Sequence, residues 1–141
     1  MHLNELLDTF SRNNGIERPV QNKDKKYPVP VEGLELFCFE QDRRLYLQAH
    51  LGPLSQSKAQ RQDETRRLLE HSMGLIKEQR VSLTVDRDAG VYVLWQRLPL
   101  EDLDIATFQE TVERFGGCGL SCQSLLGSET APCVGGQFFS P

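Results

Sequence analysis

The sequence has no long apolar stretch, and this absence excludes a membrane-spanning helix. None of its hydrophobic runs approaches the roughly 18–20 residues that such a helix needs. The first ten residues, MHLNELLDTF, lack the basic start and the small-residue cleavage site of a secretory signal. We therefore expect the protein to stay in the cytoplasm with its four cysteines reduced.

The sequence also has no block of basic residues. Its 16 Lys and Arg are outnumbered by 20 Asp and Glu, which gives a net charge of −4. Residues 81–141 contain eight acidic and three basic side chains, whereas residues 57–80 contain six basic and four acidic ones. An acidic half repels a phosphate backbone, so nucleic-acid binding is disfavoured. Arg61, Arg66 and Arg67 are expected to form a solvated helix face.

No group of residues has the spacing of a catalytic or metal site. Cys118, Cys122 and Cys133 would offer three thiolates where a structural zinc site needs four ligands. The glycine cluster at 116–119 is not followed by the Lys-Ser/Thr of a phosphate loop. The turn at 86–90 lacks the closing glutamate of a calcium loop. We predict no catalytic residue, no metal and no cofactor.

The periodicity of the chain is that of one small α+β domain, in keeping with its 141 residues. Apolar side chains at helical spacing predict helices over 3–13 and 57–79, and a third helix that begins near Asp102 or Asp104. Alternating apolar side chains predict four strands joined in two short hairpins. These strands are expected at 34–39, 44–51, 81–85 and 91–95.

The predicted order is α-β-β-α-β-β-α, with a twisted antiparallel sheet flanked by helices. Residues 17–30 are expected to form a connector, and Pro28 and Pro30 would confine a short extended piece at 27–31 to a sheet edge. The glycine cluster at 116–119 is expected to interrupt the last helix. The domain would then end at residue 126, and residues 127–141 would form a flexible tail.

One segment carries a family resemblance. Val91-Tyr-Val-Leu-Trp-Gln-Arg-Leu-Pro-Leu100, followed by Glu-Asp-Leu-Asp104, resembles the signature of class I type III secretion chaperones, the Tir chaperone family. In that family a strand and a glycine-containing turn precede a valine-leucine-tryptophan-x-arginine-x-proline-leucine stretch that leads into the final helix. The short first helix, the paired strands, the central helix and the acidic balance extend the resemblance over most of the chain.

The resemblance implies a cytoplasmic bacterial homodimer that binds the N-terminal region of one type III secretion effector. Such chaperones keep that region extended and help to present it to the export apparatus, where the secretion ATPase is a further partner. They hydrolyse no nucleotide. Two alternatives stay open: a dimerisation or regulatory domain without an effector, and a thiol enzyme acting through Cys118 or Cys122, for which no neighbouring base is evident.

The apolar side chains of the first helix and first hairpin are the predicted effector-binding residues. A purely structural role for the helix stripe, which must pack onto the sheet, is an equal alternative. The two apolar faces of strand 34–39 imply that one face is core and the other a covered interface. The predicted effector-binding residues are Leu3, Leu6, Leu7, Phe10, Leu36, Phe37, Phe39, Leu45 and Leu47.

The central helix and the strands after it supply the predicted dimer interface, because they carry more apolar surface than one small core needs. Trp95 would more often belong to a core, and the family resemblance places it at the interface. The predicted interface residues are Leu68, Leu69, Leu75, Ile76, Val81, Leu83 and Trp95.

Overall fold

The computed structural model describes residues 2–31 and 33–127, with residues 75–79 and 127 described by their backbone alone. Within these ranges the chain forms three helices and five strands. No helix within these ranges has the length and apolar character needed to cross a membrane. The elements are α1 (Leu3–Asn14), β1 (Tyr27–Val31), β2 (Leu34–Gln41), β3 (Arg44–Pro53), α2 (Lys58–Gln79), β4 (Val81–Asp86), β5 (Val91–Pro99) and α3 (Ile105–Gly127).

The five strands form one antiparallel sheet in the order β1-β2-β3-β5-β4, so β1 and β4 are its two edges. The α+β class, the helices and the four predicted strands are confirmed. The extended piece at 27–31 is a fifth strand, which changes the order to α-β-β-β-α-β-β-α. β5 also runs past its predicted end at 95, because Leu98 and Pro99 still pair with β3. The pairing of β4 with β5 ends at Gln96, so Pro99 has a neighbouring strand on one side only, as at a sheet edge.

The core lies between the helices and one face of the sheet. Leu34, Leu36 and Cys38 of β2 are buried there, beside the alternate residues of β3 that begin with Leu45. The other face of the sheet, which we call the open face, bears the intervening side chains. Among them Phe37 and Phe39 are half-buried. The predicted alternation of the hairpin is therefore confirmed.

Local signals set the C-terminal end of α1 and the start of α3, as the sequence predicts. Gly15 follows α1 with a left-handed φ of 64°, and its N–H bonds to the carbonyl of Arg12. At α3 the backbone N–H of Thr107 donates to Asp104 Oδ1 over 2.8 Å. This hydrogen bond lowers the pKa of the Asp104 carboxyl.

The predicted interruption at 116–119 is wrong, because α3 continues through the glycine cluster to Gly127. A Cβ on Gly119 would lie 2.7 Å from Leu34 Cδ2, and one on Gly116 would touch Val31. Gly119 thus lets the helix approach the sheet closely, whereas a Cβ on Gly116 would make an ordinary contact. The burial of the helix's apolar residues outweighs its lower helix propensity. The predicted tail lies, from residue 128 onward, outside the described residues.

Candidate binding surfaces

The apolar stripe of α1 is buried in the core. Leu3, Leu6, Leu7 and Phe10 all have almost no exposed surface. The ring of Phe10 meets that of Phe108 edge to face, with centroids 5.5 Å apart, so the stripe joins α1 to α3. The structure thus gives these side chains the packing role that the sequence left open. Their part in effector binding stays a prediction.

The hairpin residues of the same predicted set separate onto the two faces of the sheet. Leu36, Leu45 and Leu47 are buried in the core. Phe37 and Phe39 lie on the open face and keep part of their surface accessible. Only these two of the nine predicted residues lie outside the core of the described chain.

An open groove of about 710 Å³ lies along β1, between that strand and the connector at 16–20. We call it the β1 groove. Its wall includes Val20, whose surface is 79% exposed, the exposed rings of Pro28 and Pro30, and the half-buried Phe37. Leu36 and Phe37 are the only predicted effector-binding residues on this wall. The other apolar positions were not identified from the sequence, since loop residues such as Val20 follow no periodicity.

The edge of β1 limits how a partner chain can bind there. Pro28 and Pro30 have no N–H. A proline in an edge strand has its nitrogen on the side that faces solvent, away from the neighbouring strand. At these two positions the free edge therefore offers carbonyl acceptors and no donors. An added strand could not complete its ladder, so side-chain contacts with the groove wall must supply most of the binding.

A second groove, of about 780 Å³, lies between α2 and β4 at the opposite edge of the sheet. We call it the α2–β4 groove. Its apolar wall includes Leu69, Met73 and Val85, which are 48%, 69% and 42% exposed. Of these three residues, only Leu69 belongs to the predicted dimer interface. Met73 is one helical turn after Leu69, and Val85 lies on the same strand face as Leu83. The helical and strand periodicities could therefore have identified both residues.

The remaining residues of the predicted dimer interface do not all meet at this groove. Leu68 of α2 and Val81 of β4 are buried in the core, and Leu83 of β4 is packed against it. Trp95 lies on the open face, where its indole N–H donates to Thr84 Oγ1 over 2.9 Å. The side chains of Leu75 and Ile76 lie outside the described residues. The interface itself stays a prediction.

The arginines of α2 are engaged on the helix surface. Arg66 and Arg67 each donate to Asp63 over 2.8 Å, and Arg66 also bonds to Glu70. The hydrogen bond from Arg66 is the main reason that the pKa of the Asp63 carboxyl is lowered. Arg61 bonds to the carbonyl of Ser55 and reaches the rim of the α2–β4 groove. These contacts leave little positive charge on this face for a phosphate backbone.

The cysteines of α3 are poor candidates for chemistry. Cys118 and Cys122 are buried, and burial raises the pKa of both thiols, to about 11 for Cys122. A reactive cysteine has the opposite shift. Within the described residues no group of three or more His, Cys, Asp or Glu side chains could hold a metal ion.

The structure thus has an open apolar groove at each edge of its sheet. Residues 5–116 match the family model of the Tir chaperone protein (CesT) family. The chain therefore belongs to this family, the class I chaperones of type III secretion, and the resemblance drawn from residues 91–104 is confirmed. A comparison with individual curated proteins by sequence finds no match.

Solved structures of three protein complexes share the fold. The chain resembles a chain of the ExsC–ExsE complex with a TM-score of 0.70 and 16% identity, covering 89% of this chain and 97% of the other. For the HopA1–SchA chaperone–effector complex the TM-score is 0.67 and the identity 19%, over 85% and 91% of the chains. For the ExoU–SpcU complex of Pseudomonas aeruginosa the values are 0.63 and 19%, over 88% and 97%.

Proposed function

We propose that this chaperone works in the bacterial cytoplasm as a homodimer that binds the N-terminal region of one type III secretion effector. It keeps that region extended and presents it to the export apparatus and its ATPase, without catalysing a reaction. The observation that carries the proposal is the open, apolar β1 groove in a chain that matches the chaperone family over residues 5–116. The similar fold in a complex described as chaperone–effector supports it.

The β1 groove suits an extended chain with spaced apolar side chains. Val20, Pro28 and Pro30 are exposed apolar surface, and such surface on a folded domain marks an interaction site. Each client side chain that becomes fully buried there would contribute about 1.5–3 kcal/mol. A few such side chains would offset the cost of ordering an unfolded partner.

The α2–β4 groove is the surface that we assign to the homodimer. A two-fold axis beside it would pair Leu69 and Met73 with the same residues of a second copy. A dimerisation domain without a client would need this groove alone. The β1 groove at the other edge of the sheet favours a protein that has a client as well.

The absence of catalysis is supported by the state of the thiols. Burial keeps Cys118 and Cys122 in the neutral form, whereas thiol catalysis requires a thiolate. Loss of a measurable activity in Cys118→Ser or Cys122→Ser would favour the enzyme alternative instead.

The test replaces an exposed residue of the groove. We expect Val20→Asp to weaken capture of the N-terminal segment of the effector encoded beside the chaperone gene by about tenfold, since a charge would have to be desolvated. The melting temperature should not change, because the Val20 side chain is 79% exposed. Leu3 and Phe10 are unsuitable, since both are buried and an aspartate there would unfold the domain.

The matched control is Ala89→Asp, which adds the same charge at an exposed position in the turn between β4 and β5. It should leave both capture and melting unchanged. Capture by Val20→Asp that equals capture by Ala89→Asp would contradict the proposed groove.

A further inference from the structure

The open face of the sheet carries a cluster of aromatic side chains that neither groove accounts for. Phe39 of β2 and Tyr46 of β3 are cross-strand partners, with rings stacked 5.0 Å apart and 6° from parallel. Trp95 of β5 meets Phe39 edge to face at 6.1 Å. We call Phe39, Tyr46 and Trp95 the aromatic patch. All three rings are half-buried, so each still presents part of its surface.

Positive side chains surround this patch. Lys26 Nζ lies 5.5 Å from the centre of the Phe39 ring, and Arg97 stands opposite Tyr46 in the pairing of β3 with β5. Arg80 and Arg97 also line a cavity of about 440 Å³ together with Tyr46 and Trp95. Across residues 2–31 and 33–127, no carboxylate forms an ion pair with Lys26, Arg80 or Arg97. Lys26 Nζ donates to Gln48 Oε1 over 2.7 Å, which holds it beside the patch. A chain with a net charge of −4 thus has, among its described residues, three cations without an ion pair beside one apolar surface.

Single-stranded nucleic acid is a poor fit to this surface. Bases bind by stacking on free ring faces. Tyr46 covers one face of Phe39, and Lys26 lies over the same ring. The indole of Trp95 is held by its hydrogen bond to Thr84. The Phe39 ring therefore has little free face for a base, whereas the cations beside the patch attract carboxylates.

We propose that the aromatic patch binds an acidic segment of the client, in which Asp and Glu are interspersed with aliphatic residues. This proposal rests on the proposed function, because it names the chemistry of a second stretch of the same client. Carboxylates of that stretch would pair with Arg97, Arg80 and Lys26, and its aliphatic side chains would cover Tyr46 and Trp95. The charge complementarity would favour such a stretch over a basic one.

Trp95 is the only tryptophan of the chain, so its fluorescence reports directly on the patch. The probe is a short synthetic peptide of alternating Leu and Glu, and its control has Lys in place of Glu. We expect the acidic peptide alone to shift the emission saturably. The shift should disappear in about 1 M NaCl, where charges are screened beyond about 3 Å.

A pair of charge reversals separates the patch from general electrostatics. Arg97→Glu should weaken binding of the acidic peptide by about tenfold, since an attraction becomes a repulsion. Arg114→Glu makes the same charge change on the exposed surface of α3 and should leave binding unchanged. Arg97→Gln serves in place of Arg97→Glu if the latter does not fold, and should weaken binding less.

The proposal would be overturned by the absence of a response to the acidic peptide or by an equal response to the Lys peptide. It would also be overturned by equal weakening in Arg114→Glu or by a response to an oligouridylate alone. A change in emission on dilution that follows dissociation of the dimer would assign the patch to the interface and overturn it as well. If client capture is lost in Val20→Asp and intact in Arg97→Glu, the β1 groove is retained as the client site and the aromatic patch is rejected as a second one.

Discussion

Cys38, Cys118 and Cys122 are packed inside the domain, each in apolar surroundings. Burial raises the pKa of all three thiols, to about 12 for Cys38 and about 11 for Cys122. The neutral thiol is thus the form that the folded state favours. Such cysteines behave as small apolar side chains, and their exchange for another small residue should affect packing more than chemistry.

We expect these buried thiols to resist modification in the folded protein. In a Cys133→Ser variant at pH 8, an aromatic disulfide reagent should react at least about tenfold more slowly with the folded chain than with the chain in denaturant. The thiol pKa values in the folded state lie above the unfolded value of 9.0. The free energy of unfolding should therefore be unaffected by these thiols below pH 9 and should fall as the pH rises toward 11–12, because the unfolded chain loses the thiol protons first. Urea unfolding at a series of pH values measures this decline, and rapid labelling of any thiol in the folded state would contradict the prediction.

The sequence could predict which residues of the hairpin share a face, and it could not predict what covers each face. Leu36 and Cys38 alternate with Phe37 and Phe39 in any strand, so two apolar faces were evident. The choice between them depends on where α1 and α3 dock. That information is distributed over residues far apart in the chain, such as Phe10 and Phe108.

Element boundaries were predictable where a short-range signal sets them. Gly15 ends α1 and Asp104 begins α3 through hydrogen bonds within a few residues. The predicted interruption at the glycine cluster of α3 is wrong because the effect of these glycines is not local. Gly116 and Gly119 face the sheet, whereas Gly117 has no neighbouring atoms within 4 Å of a would-be Cβ.

Two alanine substitutions in α3 should therefore have opposite effects. Gly117→Ala should stabilise the domain by about 1 kcal/mol, which is the gain in helix propensity at an exposed site. Gly119→Ala gains the same propensity, but its methyl group would collide with Leu34, and overpacking costs about 1–3 kcal/mol. We expect no gain or a net loss for Gly119→Ala. Urea unfolding of both variants checks the difference, and equal stabilisation would contradict the prediction by showing that the Leu34 side chain moves aside for the methyl group.

At the scale of the whole molecule, the strand order places one groove at each edge of the sheet. This arrangement could not be derived from the sequence, because Leu69, Met73 and Val85 meet only after α2 has folded back onto β4. The family resemblance implied a homodimer and an effector as partners. The predicted dimer interface combined Trp95, taken from that resemblance, with Leu68, taken from the apolar pattern. In the structure they lie on opposite faces of the sheet, Trp95 on the open face and Leu68 in the core.

The α2–β4 groove leads to the last prediction, which concerns the homodimer. The wild-type chain should have twice its mass of 16.1 kDa by light scattering at micromolar concentration. Met73→Asp should raise the dissociation constant of the dimer at least about tenfold, because two charges would be buried across the two-fold axis. Its fold should be retained, since the Met73 side chain is 69% exposed. Val20→Asp in the β1 groove is the control and should remain a dimer. A monomeric wild-type chain, or a Met73→Asp variant as dimeric as the control, would show that this apolar groove is not where two copies meet.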